Sequence, residues 1–260
     1  MITMYHRPQT LDEALALLAQ PNTLPLGGGT LLSHGASFSD DKTIEVVDLQ
    51  QLGLDSITKK GNELELGATL TLQALLESEH CPAILKSALK LEAPLNIRNA
   101  ATVAGTLVAC DGRSTFATVL LAMDVKMEQV SFDNSQVEYH ISNVGDFLPL
   151  RSKKLITKII LPLNVKIAFE YVARTPSDKP IVCVAVTGWG SGRTRMALGG
   201  YGKSPMLAMD GASSSDDLIY SAQAAAKNAF HEATDEWASA EYRTDVAATL
   251  AQRCLEGLKL

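Results

Sequence analysis

Two stretches poor in side chains constrain this chain more than anything else in it. The first reads Pro25-Leu26-Gly27-Gly28-Gly29-Thr30-Leu31-Leu32. The second reads Ile97-Arg98-Asn99-Ala100-Ala101-Thr102-Val103-Ala104-Gly105-Thr106-Leu107. Three consecutive glycines present backbone N–H groups with no Cβ to hold a phosphate away, and such a run curls readily into an anion-binding nest. The second stretch, small residues ending in hydroxyls, is suited to close over the same anion from the other side. One such stretch is a turn; the pair predicts a cradle for a nucleotide.

The bulk numbers narrow the setting. A chain of 260 residues has room for two ordinary domains, and 46% hydrophobic with 20% charged residues is the profile of a soluble protein with a large core. The net charge of −6 argues against nucleic acid or an anionic membrane as the main partner. Arg151, Lys153 and Lys154 form a local basic patch that reads as solvated surface. No apolar run is long enough to span a bilayer, and the N-terminus has no secretory pattern, so a cytoplasmic location is expected. Cys81, Cys110, Cys183 and Cys254 form no CxxC pair, which argues against an iron–sulfur cluster or zinc site held by this chain alone. The histidines (6, 34, 80, 140 and 231) are scattered, and His34 near the first stretch reads as surface.

The capping box Thr10-Leu11-Asp12-Glu13 predicts a helix with Leu11, Ala14, Leu15 and Leu18 on one face, ended by Pro21 and Asn22. Residues 23–26 enter the glycines as a short strand, and 44–49 form another. A strand at 63–67 follows, then a helix capped by Thr71 and one opened by Pro82. After the second stretch come an apolar helix at about 114–123 and a hairpin of 125–130 with 136–141 around Asp133-Asn134. A strand at 155–161 is closed by Pro162. From about 168 the pattern becomes three antiparallel strands, 169–173, 181–187 and 194–198, and then two helices at about 215–230 and 240–258. Residues 212–217 are the most linker-like stretch.

Two nucleotide motifs fail on inspection. Gly199-Gly200-Tyr201-Gly202-Lys203-Ser204 ends like a P-loop, but that motif needs its serine to open a helix, and Pro205 pushes Ser204 out of the helical region. The glycine run at 27–29 lacks the spacing of a dinucleotide fingerprint, and no long helix pattern starts behind it.

The assembled pattern resembles the FAD-binding subunit of the molybdenum hydroxylases, the group of xanthine dehydrogenases and aerobic carbon monoxide dehydrogenases. Gly27-Gly28-Gly29-Thr30-Leu31-Leu32 stands where that family reads AGGTDLL or AGGHSLL. The stretch from Ile97 through Asp124 aligns without a gap to the family's second motif. Gly67-Ala68-Thr69, Arg174 with Asp178, Met196-Ala197-Leu198-Gly199-Gly200 and Ser239-Ala240-Glu241-Tyr242-Arg243 extend the likeness over nearly the whole chain.

The resemblance implies an α+β fold: a PCMH-type FAD-binding domain at 1–165, with two α/β subdomains of about 1–55 and 56–165. A C-terminal domain at 166–260, a three-stranded antiparallel sheet with helices, would follow. It implies that Gly27, Gly28, Gly29, Thr30, Leu31, Leu32, Thr102, Ala104, Gly105 and Thr106 grip the FAD pyrophosphate and nearby ribityl, with backbone amides of both stretches and the hydroxyls of Thr30, Thr102 and Thr106 as donors. Ile156 matches a position near the isoalloxazine. Asp111 lies close to Thr115, which replaces the family's ribityl-binding aspartate. Ala104 replaces a glycine; a left-handed backbone there would cost about 1 kcal/mol. The implied partners are a molybdopterin-binding large subunit and a [2Fe–2S] small subunit, assembled as a dimer of heterotrimers, with the flavin passing electrons to NAD⁺, oxygen or another acceptor. Two other readings stand beside this one: a flavin-poor assembly subunit, and a stand-alone flavin oxidase of the vanillyl-alcohol-oxidase type.

Overall fold

The computed structural model describes residues 1–31, 43–133, 136–151, 154–176, 178–212 and 217–258. Leu32, His34, Asn134, Lys153 and most of the linker-like stretch at 212–217 lie outside them.

A small parallel sheet opens the chain. Strands β1 (Ile2–His6), β2 (Thr23–Leu26) and β3 (Ile44–Asp48) lie in the order β1-β3-β2, and the central strand is the most buried. Helix α1 (Leu11–Leu18) packs Ala14 against Val47 and Leu49. Its capping box forms one residue wide of the reading: Thr10 accepts from the Glu13 amide at 3.3 Å, while Glu13 reaches back to the Gln9 amide at 3.0 Å.

The second sheet is antiparallel, in the order β4-β5-β8-β6-β7, from β4 (Ile57–Lys60), β5 (Glu63–Gly67), β6 (Lys126–Asp133), β7 (Gln136–Asn143) and β8 (Leu155–Pro162). One face, carrying Leu64, Leu66, Met127 and Ile159, is covered by helices α2 (Leu72–Glu77), α3 (Ala83–Glu92), α4 (Leu95–Arg98), α5 (Val103–Ala109), α6 (Thr115–Ala122) and α7 (Val144–Leu150). The other face is charged and polar, as antiparallel sheets with one wet side usually are.

The last sheet has four strands where three were expected. It runs β12-β11-β10-β9, from β9 (Val165–Val172), β10 (Val182–Trp189), β11 (Arg193–Gly199) and β12 (Met206–Ala212). The missed strand, Met206-Leu207-Ala208-Met209-Asp210-Gly211-Ala212, is a half-exposed edge interrupted by aspartate and glycine. Helices α8 (Leu218–Ala229) and α9 (Ala240–Leu258) cover one face, against Val182, Val184, Val186 and Leu198. On the other face Ala185 and Ala197 join the core of the five-stranded unit. Between the two sits α6, all eight of whose residues are buried.

Candidate functional site

The two side-chain-poor stretches meet. A Cβ on Gly28 would stand 1.7 Å from the Ala100 carbonyl oxygen, and one on Gly27 would stand 2.9 Å from Thr102 Oγ1. No side chain fits in either gap. Gly29 is glycine for a different reason: its φ of 69° lies in the left-handed region. The missing side chains of Gly27 and Gly28 thus admit the second stretch at close range. A third segment completes the junction. The Ala68 and Leu70 carbonyls accept the Ala104 and Val103 amides at 3.2 and 2.9 Å, and the Leu72 amide donates to the Ala101 carbonyl at 2.9 Å.

The second stretch is the start of a helix, not an open loop. Thr102 caps α5, its hydroxyl accepting from the Gly105 amide at 3.1 Å, and the Thr106 amide reaches the Thr102 carbonyl at 2.8 Å. The amides of residues 103–106 are thus all engaged inside the protein, which corrects the expectation that both stretches offer theirs to a ligand. The Thr106 hydroxyl donates to the Thr102 carbonyl at 2.8 Å, so its proton is committed as well. Ala104 sits in the helix with ordinary backbone, and the left-handed penalty does not arise. Gly105 is required by the cap, since a Cβ there would lie 2.8 Å from Thr102 Oγ1. Among the described residues, the amides of Gly27 and Gly28 have no protein acceptor. The Thr102 hydroxyl proton has none either.

The remaining candidates scatter. Leu31 is half exposed. Asp111, just past α5, accepts from the Arg113 amide at 2.9 Å and pairs with Lys179 at 3.2 Å. Thr115 is fully buried and donates to the Ala88 carbonyl at 2.7 Å. Ile156 is buried in the core of the five-stranded unit. The glycines at 199–202 lead from β11 into β12 with no helix following, and they interlock with the exit of α5. The Gly200 amide donates to the Gly112 carbonyl at 2.6 Å, and the Gly112 amide to Gly202 at 2.9 Å.

Several residues build the site in roles that the sequence did not signal. Arg98 fastens the second stretch by donating to Gln73 at 3.0 Å and to the Ala93 carbonyl at 2.6 Å. Glu92 accepts from the Phe116 amide and the Ser114 hydroxyl, both at 2.9 Å, and so caps α6 from a distant helix. Arg151, read as solvated, clamps the end of α5 through backbone carbonyls. Burial pushes the thiols of Cys81, Cys183 and Cys254 up to about 12 and that of Cys110 to about 11, so all four stay protonated at neutral pH. Among the described residues no cluster of His, Cys, Asp or Glu is arranged to hold a metal, and no helix is long and apolar enough to cross a membrane.

Fold and cradle together define an α+β protein with a junction poor in side chains, where the Gly27 and Gly28 amides have no acceptor among the described residues. Residues 1–164 match the family described as the FAD binding domain in molybdopterin dehydrogenase, and residues 167–258 match the CO dehydrogenase flavoprotein C-terminal domain. The chain belongs to this family. It is a FAD-binding subunit of molybdenum hydroxylase type, and FAD is its cofactor. It is 28% identical over 203 residues to the Escherichia coli K12 protein YgfM, covering 77% of this chain and 75% of the other. To the carbon monoxide dehydrogenase medium chain of Afipia carboxidovorans it is 24% identical, over 98% and 96% of the two chains. The reconstituted CO dehydrogenase from Oligotropha carboxidovorans superposes with a TM-score of 0.81 at 24% identity, over 97% and 96%, which establishes the shared fold. The donor set suits a diphosphate: two glycine amides and one threonine hydroxyl at this junction have no acceptor among the described residues.

Proposed function

We propose that this chain is the electron-transfer subunit of a cytoplasmic molybdenum hydroxylase complex, with residues 1–165 as the flavin domain and 166–260 as its C-terminal companion. When bound, FAD supplies the redox chemistry that links the [2Fe–2S] clusters of a small partner, fed by a molybdopterin-binding large subunit, to an external acceptor. The chain's own residues bind and orient. The Gly27 and Gly28 amides and the Thr102 hydroxyl donate to the diphosphate, and charge on the acceptor strengthens such bonds. Gly29 takes a left-handed backbone, and Thr30 and Leu31 beyond it would line the cofactor. Asp111, exposed beyond α5, would accept from ribityl hydroxyls, while Thr115 and Ile156 would serve through the core packing of their own elements.

The apposition of Gly27 and Gly28 with Thr102 and Ala100 carries this reading. The engaged amides of residues 103–106 and the buried Thr115 favour a second one, in which the chain is a scaffold that binds flavin weakly or not at all. Purification of the full chain with its native partners separates them. A yellow complex containing molybdenum, iron and stoichiometric FAD supports the first; a colourless one whose isolated chain takes up no added FAD supports the second.

A further inference from the structure

We infer that Arg151 is a positioning residue for the cradle, an inference that rests on the flavin reading above. Its guanidinium places all of its N–H groups on backbone carbonyls. Nη1 donates to Leu107 at 2.6 Å and Val108 at 2.8 Å, Nη2 to Cys110 at 2.8 Å and Lys203 at 3.2 Å, and Nε to Leu148 at 2.8 Å. Among the described residues no carboxylate pairs with it, so its work is geometric rather than charge neutralisation. Leu107, Val108 and Cys110 are the end and exit of α5, where unpaired carbonyls and the negative end of the helix dipole attract a cation. Leu148 belongs to α7, and Lys203 to the turn that interlocks with Gly112.

The backbone of Arg151 has φ 48°, in the left-handed region that favours glycine. Strain of this kind persists where the surroundings over-determine the residue. Here a glycine would relieve the backbone but forfeit every one of those donors. The side chain is what keeps arginine in place.

The consequence reaches the cradle because α5 is short. Its first turn carries the Thr102 cap, set against Gly27, and its last turn lies in the Arg151 fork. Held at both ends, the helix is a fixed strut. Released at its C-terminal end, it tilts and draws Thr102 away from the first stretch, which Arg151 itself does not touch.

The test compares R151K, which keeps the charge but loses the planar fork, with Leu250→Ala, a cavity in the distant core beneath α9. Each full-length variant is titrated with FAD by flavin fluorescence, the visible circular dichroism of the bound flavin is recorded, and the flavin-free protein is melted. R151K should bind FAD roughly tenfold more weakly, about the value of one or two hydrogen bonds, with an altered dichroism of the flavin that remains. Leu250→Ala should lose at least as much melting temperature while leaving affinity and dichroism unchanged. If R151K does not fold, R151G serves instead, since it relaxes the backbone while removing the fork. Equal affinity in wild type and the Arg151 variant overturns the inference, as does an equal loss in Leu250→Ala. A wild-type chain that takes up no FAD overturns the functional reading, and this inference with it.

Discussion

The chain carries two glycine runs, one read from sequence as a phosphate cradle and one rejected as a P-loop, and they sit at opposite ends of the same short helix. At its start, Gly28 makes way for the Ala100 carbonyl; at its exit, a Cβ on Gly200 would meet the Ile181 carbonyl at 2.1 Å, and one on Gly112 the Tyr201 carbonyl at 1.9 Å. In both places glycine admits neighbouring backbone. What differs is where the amides go. Those of Gly200 and Gly112 are spent on each other's segments, while those of Gly27 and Gly28 find no acceptor among the described residues. A glycine run therefore reports close approach; only the accounting of its N–H groups tells whether the visitor is chain or ligand.

Substitutions can break that contrast. Gly28→Val has the largest expected effect, because its Cβ meets unyielding backbone: the stretches must part, with loss of about 3 kcal/mol of stability and of FAD uptake together. Thermal melting and flavin titration check both, and a variant that melts normally yet loses flavin would show that ligand, not Ala100, fills the gap. Gly200→Ala adds a Cβ at φ 126° and should cost about 2 kcal/mol with FAD affinity retained. A parallel loss of affinity would erase the distinction between the two runs.

The smallest effect is a pH dependence on the side of the second run. The Arg193 guanidinium, helped by Arg195, holds the Asp210 carboxyl below its ordinary range, and Asp124 joins the same cluster at the end of α6. A carboxyl depressed by folding contributes fully above the unfolded value and loses that contribution as pH falls through the folded one. Melting temperature should fall on acidification, and Asp210→Asn should flatten that part of the curve. A variant as acid-sensitive as wild type would remove Asp210 from the account.

Much of the fold was legible because apolar period and capping chemistry agreed. The Thr10 cap, the β6–β7 hairpin, the buried α6 and the Leu250, Cys254 and Leu258 face of α9 all follow from local pattern. The elements that escaped are exposed edges. Ile2–His6 and Ile57–Lys60 are largely solvent-facing strands with no alternation to read, and β12 carries glycine and aspartate. At the site, the sequence located both stretches and the close approach, but not the partners of each donor. That Thr102 opens a helix whose first amides are already taken depends on Ala68 and Leu70, far away in sequence. Nothing local marks Arg151 as a clamp either, since its acceptors are main-chain carbonyls, which every residue has.

The wholly enclosed α6 has a practical bearing. With apolar neighbours on one side from the five-stranded unit and on the other from Ala185 and Ala197, it has no flank suited to water. Severing the chain between β8 and β9 would leave a greasy rod half undressed, so a truncated N-terminal piece should aggregate unless the remainder is co-expressed. The two halves are, in that sense, obligate companions.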